Sequence, residues 1–424
     1  MTNKLHTRRV LIMCIVSVIS IAVSAANILQ YETCVLSDNI RTLRVKYADN
    51  DNIERPFLTL GSYEQLEISF DELSHNTHNY TYTILHLNAN RTQSNLHTSE
   101  YISGFTTQDI TDYAQSLNTT QLYTHYSFVF PNEDMTLTAS GNYAIKIYED
   151  GDQENAVAYV CFSVAEPISE VSCNIRGNTD IEFSGKYQQL DIDVQFGDMN
   201  IVNPAGEIKV LVRQNGRTDN EVLCDKPTYI ESHRLRYINQ KQLIFEGGNE
   251  YRHFDISSVY FKGNNVDRIY FDHALYHAYL YPDEVKSGNP YLTEYDANGQ
   301  YVIHSEKVQD DDTEADYMWV HFLLPTSSPW FTGGVYVSGD LTYNCFTQSN
   351  RMQYDNEHET YYLSLFLKQG AYDYQYLLLD KTTKKASAMP AEGSHWQTQN
   401  EYTIYVFYHP FGARADRLIG VKTL

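Results

Sequence analysis

At 424 residues, 42% hydrophobic and 20% charged, the chain is long enough for two or three ordinary domains and has the composition of a globular protein, not a disordered one. Its formal charge of −23 argues against nucleic-acid binding, because phosphate recognition needs clustered Lys and Arg to displace counterions. Tyr is unusually frequent at 36 residues; its ring suits strand packing and its hydroxyl suits interfaces.

In chain order, Lys4, Arg8 and Arg9 precede an apolar run over 10–23, and Val23-Ser24-Ala25 offers small residues for cleavage. Residues 1–25 are therefore expected to be a signal peptide, with the mature chain starting near Ala26. The run is shorter than the roughly 20 residues that a membrane-spanning helix needs, so no direct span is expected. Cys14 falls in this segment. The remaining Cys34, Cys161, Cys173, Cys224 and Cys345 are odd in number and lack CxxC or zinc-like spacing, which argues against a disulfide framework. Cys161 and Cys173 could pair in an oxidising compartment or remain buried thiols.

Residues 26–166 read as an N-terminal β-sandwich, with strands expected at 41–47, 65–71, 80–88, 123–130, 143–149 and 156–164. Tyr126, Phe128 and Phe130 alternate on one strand face, Ser140-Gly141-Asn142 supplies a turn, and Tyr143, Ile145 and Ile147 restart the alternation. Between these strands, Ile110, Tyr113, Ala114 and Leu117 fall on one helical stripe after Thr106 and Thr107, which predicts a helical turn. Residues 167–309 begin a second β-rich domain after Ala165-Glu166-Pro167, with strands at 171–175, 188–196, 208–214, 235–238, 242–246, 254–261 and 268–271. Asn215-Gly216 marks a turn after the third of these.

Inside this second domain, Asn249, Glu250, Arg252 and Asp255 form a candidate structural or interface polar site. Glu250 and Arg252 are two apart, hence on one face of a strand, and are expected to form a mutual ion pair. Gly247 and Gly248 would allow a close backbone approach at a domain junction. A catalytic carboxylate oriented by arginine is the sharper alternative; structural ion-pair networks are the commoner arrangement. His273 and His277 have helix-face spacing but lack the Glu of a metalloprotease, and Tyr270, Phe271, Tyr276 and Tyr279 around them favour a strand. No nucleophile elbow, P-loop or dinucleotide fingerprint occurs, and no catalytic, cofactor-binding or metal residues are assigned.

The acidic run 310–316 reads as a solvated linker, since like charges repel and resist burial; it lacks the ligand spacing of a calcium loop. Residues 317–424, with strands at 318–324, 334–338, 361–366, 372–379 and 402–407 and a hairpin at Lys368-Gln369-Gly370, read as a C-terminal immunoglobulin-like domain. It resembles the early-set modules of glycan-processing proteins. The expected fold is thus all-β, with tandem β-sandwich domains.

The run from Gly104 through Tyr126 to the PN and SGNY turns resembles the plug-protein family of the type IX secretion system. Further pieces fit in the same order: PFLTLGSYEQLEISFDELS (56–74), NPAGEIKVLVRQNGR (203–217), GGNEYRHFDI (247–256), YDANGQYVI (295–303), LKQGAYDYQY (367–376) and DRLIG (416–420). Where such sequences often carry His-Cys and Asp-Trp pairs, this chain has His86-Leu87 and Asn90-Arg91. The resemblance implies a non-enzymatic periplasmic protein, monomeric on its own, without cofactor. It implies binding at the periplasmic mouth of the giant outer-membrane β-barrel translocon, closing its pore when no cargo passes. The alternative is an exported glycan-binding or glycan-processing protein, for which position 343, occupied by Tyr343, would be the place for a stacking ring.

Overall fold

The computed structural model describes residues 30–49 and 55–424, so the signal-peptide expectation lies outside the described residues. About 47% of the chain is strand and 6% helix, arranged in several antiparallel sheets, so the fold is all-β.

In the first sandwich, one sheet orders Thr107–Ile110, Tyr80–Leu87, Gly141–Glu149, Ala156–Ala165 and Cys34–Val35, with Leu58–Thr59 running parallel to Ala156–Ala165. It faces a sheet of Ile40–Tyr47, Leu66–Glu72, Thr124–Phe130 and Asp112–Gln115. Their inward rings make the core: Phe70 stacks on Tyr126 at 5.3 Å and Tyr82 on Phe128 at 4.3 Å. The expected helical turn is absent. Its residues form the strands Thr107–Ile110 and Asp112–Gln115, which pair with different sheets, and only Ile110 of the stripe enters the core. Tyr113 and Leu117 stay 48% and 57% exposed, and Tyr113 meets the Tyr126 ring at 5.8 Å across a strand pair, so the stripe makes no buried helix face.

The middle sandwich departs from the expected boundaries. One sheet is local, with Glu170–Arg176, Tyr187–Gln195, Arg234–Tyr237 and Tyr229–Glu231 in order and Ile244–Glu246 beside Tyr187–Gln195. The other runs Val222–Cys224, Ile208–Gln214, Tyr402–Tyr408, Arg417–Thr423, so half of it comes from the end of the chain. Ile404, Val406 and Ile419 complete the core that Leu190, Ile192 and Val210 begin.

The third sandwich is built from the chain between these two parts. Val266–Asp272, Leu275–Leu280, Tyr317–Pro325, Thr360–Lys368 and Gln353–Asp355 form one sheet. The other centres on Gly370–Asp380, flanked by Arg252–Asp255, Tyr301–Ile303, Gly333–Ser338 and Ala386–Ser387. A division at 309/317 therefore cuts through both sandwiches. The reason is pairing: Leu275–Leu280 runs parallel to Tyr317–Pro325 and Arg252–Asp255 pairs with Gly370–Asp380.

Lys368-Gln369-Gly370 is likewise not a hairpin. The strands it joins lie in opposite sheets, and the chain crosses there so close to the Val302 carbonyl that a Cβ on residue 370 would sit 2.2 Å from it. The acidic run is folded rather than a solvated linker. Asp311–Glu314 is a helical turn capped by Asp310, with Thr313, Ala315 and Asp316 buried, because Arg44 and the amides of residues 120 and 121 from the first sandwich answer its charge. Cys161 and Cys173 are free thiols on separate strands, and burial pushes both up to about 12.

Truncation after Asp316 should therefore leave no folded remainder of the middle sandwich, since it removes two of the four strands in the sheet holding Ile208–Gln214. Amide exchange at 208–214 measures this: protection is expected to collapse. A truncated chain that keeps it would refute the interleaved topology.

Candidate functional site

The polar stretch 247–255 is the first candidate, and the structure disperses its residues among separate partners. Gly247 lies against the His395 carbonyl, where a Cβ would come within 2.1 Å, so this glycine does permit the expected close approach. The Asn249 amide donates to the Glu392 carbonyl at 2.9 Å, and its side-chain oxygen accepts from the Glu250 N–H at 3.0 Å. The Glu250 carboxylate, buried ahead of the strand Arg252–Asp255, accepts from the Tyr291 hydroxyl and, at 3.2 Å, from the Gln399 N–H. Asp255 caps the loop beyond the strand through the Ser257 N–H at 2.8 Å.

The expected Glu250 to Arg252 pair is corrected by these contacts. Arg252 instead donates through Nε to both Glu392 oxygens at 3.0 and 3.1 Å, through Nη1 to Asp283 at 2.9 Å, and through Nη2 to the Glu284 carbonyl at 2.7 Å. Asp283 also accepts from the Tyr374 and Tyr376 hydroxyls at 2.7 and 2.6 Å, and Glu392 accepts from the Tyr376 N–H at 2.8 Å. Burial opposes the Arg252 charge, yet the two carboxylates outweigh it and hold its pKa above the ordinary value. Every nitrogen of the guanidinium has an acceptor, so the cluster locks the third sandwich rather than offering a group for chemistry.

A second buried cluster, which sequence reasoning missed, joins the first sandwich to the third. Lys368, with no exposed side-chain surface, donates from Nζ to Asp71 Oδ2 and to the Asp312 carbonyl, each at 2.7 Å. Asp71 also accepts from the Tyr317 hydroxyl at 2.6 Å and pairs with His125 Nδ1 at 2.6 Å. Burial alone would raise the Asp71 carboxyl, but Lys368 and His125 hold it down at about 2. The same burial draws the Lys368 ammonium below its usual value, with Asp71 holding part of it back. The carboxylate carries the larger share of favourable contacts, and its depressed value governs how the pair responds to acid.

Two further contacts tie the units together. Arg55 reaches Glu401 at 2.8 Å, Asp340 at 3.3 Å and the Asn298 carbonyl at 3.0 Å, touching the middle and third sandwiches at once. Arg91 pairs with Glu221 of the middle sandwich at 3.0 Å and with Glu32. Tyr343 is spent on the same seam: its hydroxyl accepts from the Leu43 N–H at 3.1 Å, so the ring is not presented as a sugar platform. His277 lies in the strand Leu275–Leu280 and His273 in the preceding turn, which fits the strand reading.

Replacing Lys368 by Met should cost about 3–5 kcal/mol in denaturant unfolding, because Asp71 is left buried without its cation. Arg252→Ala should cost a similar amount, and Glu250→Ala clearly less, since Glu250 has only two hydrogen-bond donors to lose. Equal losses at 250 and 252 would contradict the contacts described. For pH, the Asp71 value is lower in the folded than in the unfolded chain. Its stabilisation is therefore full above about pH 4 and lost as pH falls toward about 2. Urea midpoints should fall across that window, and less steeply in Asp71→Asn.

Comparisons with known proteins bear on the whole body. A family model described as "Type 9 secretion system plug protein 1st domain" matches residues 40–166, which hold all of the first sandwich except its strand Cys34–Val35. A crystal structure of a hypothetical protein from Parabacteroides merdae ATCC 43184 is 38% identical, with a TM-score of 0.91, and the match covers 93% of this chain and 99% of that one. The search of curated proteins returns no match. The sequence resemblance, the matched first domain and the shared three-sandwich body agree: this chain belongs to the type IX secretion system plug protein family.

Proposed function

We propose that this protein is a periplasmic plug that binds the periplasmic mouth of the giant outer-membrane β-barrel translocon and closes its pore when no cargo is passing. The family match over residues 40–166 carries this reading. The family is a non-enzymatic component of the secretion system, and the buried clusters are consistent with that, because their charges are compensated within the fold. Among the described residues no helix is long and apolar enough to cross a membrane, and no cluster of His, Cys, Asp and Glu could hold a metal ion.

The architecture suits such a task. Three sandwiches clamped by buried ion pairs at their seams make a stiff body, and a wide pore is best stopped by an object that does not deform. An interface of roughly 1,000 Å² or more would give a stable, specific complex. With a formal charge of −23, the protein should meet a partner surface carrying Lys or Arg, and association should slow as salt rises.

The test is a pull-down from native outer membranes together with a deletion strain. One large barrel should co-purify, and cells lacking the plug should admit large solutes through the open translocon. Unchanged permeability with the barrel present, and no barrel in the pull-down, would sink this function.

A further inference from the structure

Within the third sandwich a cleft of about 360 Å³ opens where the chain changes sheets. The Val337 N–H donates to the Asn350 carbonyl at 3.1 Å and the Met352 N–H to the Val335 carbonyl at 2.8 Å, so residues 350–352 run beside the strand Gly333–Ser338. The chain then turns away, and Gln353–Asp355 pairs with Thr360–Lys368 of the facing sheet. Among the described residues Gly333 and Gly334, at the start of their strand, are thereby paired on one side only, with Asp380 and Leu379. The cleft follows that open edge.

Arg351 lines the cleft, and its guanidinium is unclaimed. Among the described residues every other arginine gives its guanidinium to a carboxylate, a carbonyl or a ring; that of Arg351 has none of these. Its placement depends on Gly334, where a Cβ would come within 3.0 Å of Arg351 Nε. No other lining residue is charged. Val335, Met352 and Tyr361, all buried, supply apolar surface to the same cleft. The Tyr361 hydroxyl accepts from the Trp330 N–H at 2.7 Å and the Tyr354 hydroxyl donates to the Thr326 carbonyl at 2.8 Å, so what these two residues add is ring surface. Gln353, whose side-chain oxygen accepts from the Tyr362 hydroxyl at 2.9 Å, keeps its NH2 for an incoming acceptor.

From this arrangement we infer that the cleft captures the C-terminal residue of a polypeptide: the terminal carboxylate pairs with Arg351, the last side chain lies against Val335, Met352 and Tyr361, and the backbone runs along the open edge at Gly333 and Gly334. Each part of the site selects a part of that ligand. A free guanidinium matches a carboxylate through two parallel hydrogen bonds. One cation beside apolar surface suits a single negative charge carried on hydrocarbon, whereas phosphates and nucleic acids call for clustered cations. An unpaired strand edge offers main-chain donors and acceptors to an extended chain. The inference goes beyond the plug reading and does not rest on it, since it assigns a ligand class to the third sandwich, outside residues 40–166.

The experiment uses the full-length protein and fluorescein-labelled hexapeptides ending in Leu, Ile or Phe, each made as the free acid and as the C-terminal amide. Anisotropy titrations should show a free acid binding about ten-fold or more tighter than its own amide. Arg351→Gln should bring acid and amide within about two-fold of each other, and Arg351→Lys should restore part of the difference. Arg351 is exposed, so unfolding midpoints, measured alongside, should not move. N-acetylleucine, which has the carboxylate and the side chain without the preceding backbone, should compete about ten-fold more weakly than the peptide. Absence of binding, or equal binding of acid and amide in every wild-type pair, would overturn the inference whatever the variants do. A preference for the acid that survives Arg351→Gln, or N-acetylleucine competing as well as the peptide, would overturn it too.

Discussion

A lysine with no water around it needs a carboxylate, and here that carboxylate belongs to another domain. Lys368 ends the long strand Thr360–Lys368 of the third sandwich, while Asp71 is the penultimate residue of the strand Leu66–Glu72 of the first. Neither charge is tolerable in the folded state without the other, so the relative placement of the two sandwiches is imposed by electrostatics as much as by packing. Tyr317, Tyr123 and His125 surround the pair, and the Tyr123 ring lies 4.3 Å from the ammonium. Such an arrangement punishes misassembly: a slip of one strand would strand a buried charge.

Arg55 repeats the device where all three units meet. Its guanidinium touches Glu401 and Asp340, contributed by different sandwiches, and the backbone of Gly216 comes so near that any side chain there would overlap the arginine. Between the first and middle sandwiches the seam is instead a small apolar cluster of Ala89, Ala165, Leu211, Phe407 and Leu418, flanked by Arg91 with Glu221. Domain interfaces inside a chain are often polar and mobile by default. Here charge burial at the seams opposes that mobility.

Much of the fold was legible because it is written locally. In the first sandwich the period-two placement of Tyr126 with Phe130, and of Ile145 with Ile147, located the strands within a residue or two. The same reasoning misread 107–117, because apolar residues three and four apart also arise when two short strands turn a corner between sheets. The site was less legible still. Arg252 finds Asp283 and Glu392, 31 and 140 positions away, and no local spacing encodes such partners. For the acidic run, like charges in sequence suggested solvent, while the compensating Arg44 and the amides at 120 and 121 were invisible until the chain was folded. The division at 309/317 was not legible, since strand pairing depends on the end of the chain.

The interleaved middle sandwich has a temporal meaning. Its sheet holding Ile208–Gln214 is closed by Tyr402–Tyr408 and Arg417–Thr423, so the earlier strands must wait for the final residues. A chain that emerges N-terminus first thus presents a completed first sandwich while the apolar faces of Leu190, Ile192 and Val210 are still uncovered. Pairings of such long sequence separation form slowly and leave unpaired edges exposed meanwhile. Completion of the middle sandwich is therefore gated by arrival of the last strand, and the half-built intermediate is the species for which a holding chaperone has most to shield.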